Sequence, residues 1–283
     1  MPHLPGASRD SEWRVRELVA DETPAALADR TRIMWTHLLL LLFVALAVYA
    51  QNLTGFALAL ILLGLIGATD LVPLADAVNA VTVLSLVNAG TFLYRRRPLT
   101  LELSLWPAVA AGVVGVIAGT MLLAWLAGAA HEVLRLLLGL SIVLCALLLW
   151  RAAAPLRAVS SRASFAVAGG LSGLMGGMFS APGPPLVYLM YRQPLPLARV
   201  QESLVLLFGI GALLRLAIVV PAGQFSLHAV RLAAESIPVV VLVTSFAARR
   251  PPPLSPKLLK AAVCLLLIAT GMGMMSAALS AMS

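Results

Sequence analysis

Charge is scarce in this chain. Only 11% of its 283 residues are charged and only 6% are aromatic, and it contains two cysteines. Soluble domains carry about a quarter charged residues, so a soluble fold is excluded. A membrane barrel needs alternating segments of roughly ten residues; the apolar runs here are continuous, which excludes that too. Cys145 and Cys264 both lie inside apolar runs and read as small core residues rather than a redox pair. Enzyme signatures are missing as well: there is no HExxH, GxSxG, Walker loop or CxxC. We therefore expect no enzyme, no cofactor and no metal site.

What remains is 61% hydrophobic, and the expected fold is an all-α polytopic membrane protein in the cell (plasma or inner) membrane. The formal net charge of +8 does not point to nucleic acid, because the Arg residues stand in short clusters between apolar runs and act as topology determinants. Residues 1–32 mix acids and bases. They read as a polar extramembrane tail without a cleavable signal peptide, with a surface helix over Ser11–Val19.

Ten helical segments are expected: 33–50, 55–69, 76–94, 103–127 and 132–150, then 164–180, 184–191, 197–219, 227–248 and 257–279. Trp35, Trp106, Trp125 and Trp150 fall at segment ends, as an interfacial aromatic belt requires. The segments divide into a first repeat, 33–152, a loop, 153–163, and a second repeat, 164–283. Five segments per half is an odd number, so the second half must run inverted relative to the first. Pro73-Leu74-Ala75 recurs as Pro196-Leu197-Ala198 at the corresponding place. Each half would be a broken-helix hairpin plus three transmembrane helices. On that arrangement one face, read as cytoplasmic, receives twelve Arg and Lys residues; the other receives Arg135, Arg215 and Arg231.

The breaks are the most informative feature. Gln51-Asn52-Leu53-Thr54-Gly55-Phe56 and Ser180-Ala181-Pro182-Gly183-Pro184-Pro185 interrupt apolar runs with polar, Gly and Pro residues. Lipid offers no hydrogen bonds, so such breaks survive only against protein or an aqueous cavity. Paired breaks in two halves point to a transporter's binding site. Helix starts carry unpaired N–H groups and roughly half a positive charge. Two starts converging at depth would hold an anion without a buried Lys or Arg. The expected substrate-binding residues are Gln51, Asn52, Thr54, Gly55, Phe56, Ser180, Gly183 and Pro184. The competing reading is that the polar groups cap helix ends and pair with one another.

Asn79, Thr82, Ser85 and Asn88 recur every three residues and form a slowly drifting polar stripe. Asn79, Asn88 and Gln201 join the candidate binding set. Glu202 could take a coupling proton, or pair structurally with Arg199. His37, His131 and His228 stand near segment ends with no clustered partner. Gly169, Gly173 and Gly177 form a double small-xxx-small pattern for close helix approach, and Gly115 and Gly119 do the same in the fourth segment.

The stretch Gln51-Asn52-Leu53-Thr54-Gly55-Phe56-Ala57-Leu58-Ala59-Leu60-Ile61 resembles a Q-x-x-T-G-F-G-F-A-L-I type of sequence near the start of sulfite exporter TauE/SafE family proteins. Gly170-Leu171-Ser172-Gly173-Leu174-Met175-Gly176-Gly177-Met178-Phe179, followed by Gly183-Pro184-Pro185, is similar to the family's second motif, G-x-x-S-G-x-x-G-G-x-F and then G-P-P. The resemblance covers residues 35–280. It implies a permease for sulfite, sulfonates or related small organic anions, built from two related halves. Ala57, Leu58, Pro182 and Gln201 depart from the pattern, Gln201 standing near where relatives often carry Arg. The expected partners are a small anion and the lipid bilayer; a homodimer is one assembly the sequence leaves open.

Overall fold

The computed structural model describes residues 24–95, 105–126, 131–151, 156–249 and 256–282. Its helices are α1 (Pro24–Thr54), α2 (Ala57–Thr69), α3 (Leu74–Arg95), α4 (Trp106–Leu126), α5 (His131–Arg151), α6 (Arg162–Phe179), α7 (Pro184–Tyr191), α8 (Leu197–Val219), α9 (Leu227–Arg249) and α10 (Pro256–Met282). No strand occurs among the described residues. Two compact units emerge, Met1–Leu40 and Leu41–Ser283. The first is described only as the beginning of α1; the helix packing and the site described below lie in the second.

Seven of these helices are long and apolar enough to cross a membrane: α3, α4, α5, α8, α9, α10 and, over Met34–Thr54, α1. The chain is a multi-pass membrane protein. α2 and α7, with 13 and 8 residues, reach only about 20 and 12 Å at 1.5 Å per residue, against a hydrocarbon core of about 30 Å. Each follows a longer helix after a break, as expected. One boundary differs. α1 begins at Pro24, inside the stretch expected to be an extramembrane tail. Proline is favoured at a first helical position, and Arg supports a helix as well as Leu does; an apolar run marks where lipid begins, not where a helix does. The expected helix over Ser11–Val19 lies outside the described residues.

Glycine sets the closest helix contact. A Cβ on Gly115 would overlap the Gly170 carbonyl, one on Gly119 the Leu174 carbonyl, one on Gly173 the Gly112 carbonyl and one on Gly177 the Val116 carbonyl. α4 and α6 therefore touch backbone to backbone, and the two small-residue patterns face each other. A similar crossing joins α5 to α10, where a Cβ on Gly139 would lie 3.0 Å from Gly271 O and one on Gly271 3.0 Å from Gly139 O. In lipid, apolar burial does not drive helices together, so van der Waals contact at such crossings carries much of the association.

α2 is buried along most of its length, from Ala57 to Gly64, against α3, α5 and α10. Several of the other contacts form pairs. α3 packs on α9, and α8 on α4; α2 packs on α10, and α7 on α5; α3 packs on α8, and α5 on α10. Cys145 and Cys264 are buried and unbridged, as their apolar surroundings suggest. Trp35, Trp106, Trp125 and Trp150 are all exposed, in keeping with a belt facing lipid.

Overpacking a close-packed contact costs about 1–3 kcal/mol. Gly119→Val should lower the thermal unfolding midpoint of the purified protein by several degrees. Gly90, which has nothing within 4 Å of an added Cβ, is the internal control. Gly90→Ala should leave the midpoint unchanged or raise it, because Ala is favoured over Gly in a helix by about 1 kcal/mol.

Candidate functional site

At the first break, two carbonyls at the end of α1, those of Leu53 and Thr54, find partners outside the helix. Gly55 N–H donates to Gln51 O at 2.6 Å. Thr54 Oγ1 donates to Ala50 O at 2.8 Å. Gln201 Nε2 from α8 donates to Leu53 O. Tyr191 OH from α7 donates to Thr54 O at 2.8 Å, and its ring meets Phe56 edge-on with centroids 6.0 Å apart. Gln51 Oε1 then caps the start of α2 by accepting from Leu58 N–H at 2.9 Å. Gly55 has φ +85°, and a Cβ there would come within 3.0 Å of Gln201 Cα. Glycine is thus required twice, once by the backbone angle and once by the close approach of α8.

At the second break, Ser180 adopts φ 52° and its N–H donates to Gly176 O at 2.8 Å. Ser172 Oγ donates to Gly183 O at 3.1 Å. Gly183 caps α7, whose first two residues are Pro184 and Pro185. Proline has no N–H, so this helix start offers fewer donors than an ordinary one.

The two breaks meet one cleft. Gln51 and Phe56 from the first and Ser180 and Pro182 from the second line the same space, with Ser85 of α3, Ser172 and Gly173 of α6, Leu186 of α7 and Val205 and Phe208 of α8. The cleft spans about 780 Å³ free of protein atoms, part of it open to the outside. Its wall is mostly apolar, with hydroxyls of Ser85, Ser172 and Ser180 and the Gln51 amide as polar groups.

Other expected site residues are engaged elsewhere. Asn52 Nδ2 donates to Val48 O at 2.8 Å, Asn88 Oδ1 at 3.3 Å and Thr244 Oγ1 at 3.2 Å. Thr244 Oγ1 donates to Asn88 Oδ1 at 2.7 Å. Asn79 Nδ2 donates to Gln224 O at 2.8 Å. Asn52, Thr54, Gly55, Asn79, Asn88, Gly183, Pro184 and Gln201 are all outside the cleft wall, and so is Glu202, half-buried near the start of α8. His228 Nδ1 lies 2.8 Å from Asp76 Oδ2, joining α3 to α9. No group of metal-ligating side chains occurs among the described residues.

The largest correction concerns Arg215, which topology counting assigned to a membrane face. It is 2% exposed. Nε donates to Gly177 O at 2.9 Å, and Nη1 donates to Asn79 Oδ1 at 3.1 Å and to Thr82 Oγ1 at 2.7 Å. Thr82 Oγ1 is in turn hydrogen-bonded to Ser180 Oγ, in the cleft wall. Among the described residues, no carboxylate pairs with this guanidinium and Nη2 has no partner. A buried cation therefore stands beside the second break, where the sequence reading placed none. The sequence did hold a signal: Leu216-Ala217-Ile218-Val219-Val220 follows Arg215, placing it more than a turn inside its apolar run. Ionisable residues that deep are rare and mark function by default.

Long apolar spans closed around two interrupted helices, with a cleft between the interruptions, define a polytopic protein of the broken-helix class. The chain belongs to the sulfite exporter TauE/SafE family, whose model matches residues 39–274. A protein of Cupriavidus necator described as a probable sulfite/organosulfonate exporter TauE is 34% identical over 237 residues, 82% of this chain and 91% of the relative. No solved structure matches the chain.

The left-handed conformation costs a non-glycine residue roughly 1–2 kcal/mol, and contact with Gln201 adds to it. Gly55→Ala should therefore lower the thermal midpoint and distort the first break. Heat-denaturation curves of purified wild type and variant, read side by side, check this.

Proposed function

We propose that the protein is a secondary exporter of a small anion, sulfite or an organosulfonate, working by alternating access around its two helix breaks. The observation that carries this reading is the cleft itself. Residues from both breaks line one space, although the breaks stand more than a hundred residues apart in the chain. Family membership and the C. necator relative's description support an exporter of this chemical class. The sequence has no ATP-binding motif, so a proton or ion gradient is the driving force.

The paired helix contacts favour two related halves. Each relation, α3 on α9 or α2 on α10, recurs with the halves exchanged as α8 on α4 or α7 on α5. Five helices per half support an inverted second half. Two states that differ by exchanging the conformations of the halves would open the cleft to opposite faces in turn. The anion's oxygens would accept from Ser180, Ser85 and Gln51, with the N–H groups at the start of α2 close by.

Purified protein in proteoliposomes should accumulate sulfite or sulfoacetate above its equilibrium level under an imposed ion gradient and lose that capacity when an ionophore dissipates the gradient. Purely downhill flux would make it a channel instead. No flux of sulfite, sulfoacetate, taurine or thiosulfate would end the anion reading. Gly183→Val should abolish this flux while the protein still elutes as a single folded species. A Cβ there would overlap Met175 Sδ, a flexible side chain that can yield, so the damage should fall on the break and not on the fold.

A further inference from the structure

We infer that Arg215 supplies the positive charge for the transported anion, through an oxyanion-binding site made by Arg215 Nη2, the Thr82–Ser180 hydroxyl pair and the adjoining cleft wall. The inference deepens the transport reading above and rests on it. Three observations lead to it. The guanidinium is buried, unpaired with any carboxylate among the described residues, and has one nitrogen without a bond. Its hydrogen-bond chain runs through Thr82 to Ser180, and Ser180 lines the cleft. The cleft's own side chains carry no charge, so an anion seated there finds its compensation one layer behind the wall.

Local structure offsets only part of the Arg215 charge. Gly177 O lies in the last turn of α6, where a helix end carries roughly half a negative charge. The remainder is uncompensated in a medium where leaving a charge unpaired is strongly unfavourable. An oxyanion at Ser180 would complete the balance. The Nε and Nη1 arms of the guanidinium fork are held by Gly177, Asn79 and Thr82, which leaves the two N–H groups of Nη2 to donate to oxygens of a sulfite or sulfonate head. A short substituent on that sulfur would point into the apolar remainder of the cleft, beside Val205 and Phe208.

The test compares a charged probe with a neutral one of similar shape. Methanesulfonate carries a sulfonate head; dimethyl sulfone has two sulfur-bound oxygens and no charge. With wild-type protein, sulfite and methanesulfonate should raise the thermal midpoint and methanesulfonate should compete with radiolabelled sulfite in proteoliposomes, while dimethyl sulfone should do neither. Arg215→Gln should weaken the apparent affinity for sulfite by about tenfold or more, the scale of a lost charge-assisted hydrogen bond, and should erase the preference for methanesulfonate over dimethyl sulfone. Arg215→Lys, which keeps the charge and loses the fork, should fall between the two. A purely structural arginine would change heat stability and leave that preference intact. Ser180→Ala leaves the guanidinium in place, keeps the inference testable where Arg215→Gln does not fold, and should raise the KM for sulfite several-fold with little change in maximal rate. Unchanged sulfite affinity and unchanged charge preference in Arg215→Gln, or an unchanged KM in Ser180→Ala, would overturn the inference while wild-type transport stands. A wild type that neither responds to nor moves any of these anions would overturn the transport reading and this inference together.

Discussion

Every backbone group freed at membrane depth must find a partner inside the protein, and the rest of this structure follows from how that is done at two places. The first break alone takes side chains from three elements. Gln51 caps α2, Gln201 reaches in from α8, and Tyr191 reaches in from α7. The second break uses Ser172 from its own helix and Arg215 from α8. The capping groups thus tie the first break to the opposite half of the chain and the second to α8 of its own half. α8 is the common member, bonding the first break near its start and the second near its end. A rigid α8 displaced along its axis would strain both sets of bonds together, which links the state of one break to that of the other.

Much of the fold was legible because lipid imposes simple rules. Continuous apolar runs gave the helices, Gly and Pro gave the breaks, and glycine spacing gave the close contact between α4 and α6. Legibility ended where pairing partners lie far apart in sequence. Gln201 and Tyr191 face the first break across more than 130 residues, and no local pattern announces that. Competing readings of the polar groups turned out to be compatible: Gln51 both caps a helix and lines the cleft. The cap uses the amide oxygen, and Nε2 of the same group donates to Gly55 O at 3.4 Å.

Arg215 was misread for an instructive reason. Arg near the end of an apolar segment usually snorkels to the interface, so counting positive residues assigns it to a face. Here the guanidinium turns inward, because the last-turn carbonyl of α6 and the polar residues on α3 offer it bonds that lipid does not. The broken helix creates the acceptor, since an unbroken α6 would have used the Gly177 carbonyl internally. The break and the buried cation are one feature, although they stand 38 residues apart.

The polar stripe on α3 shows how geometry turns a sequence pattern into separate sites. At about 100° per residue, a spacing of three drifts by about 60° each step, so Asn79 and Asn88 point in roughly opposite directions. That is where the bonds go. Asn79 meets Arg215 of α8; Asn88 meets Asn52 of α1 and Thr244 of α9; between them, Thr82 joins Arg215 to Ser180, and Ser85 opens on the cleft. One helix therefore serves two buried networks and the space between them. A side chain spaced by four instead of three would have kept closer to a single face, and the two breaks would have lost their shared wall.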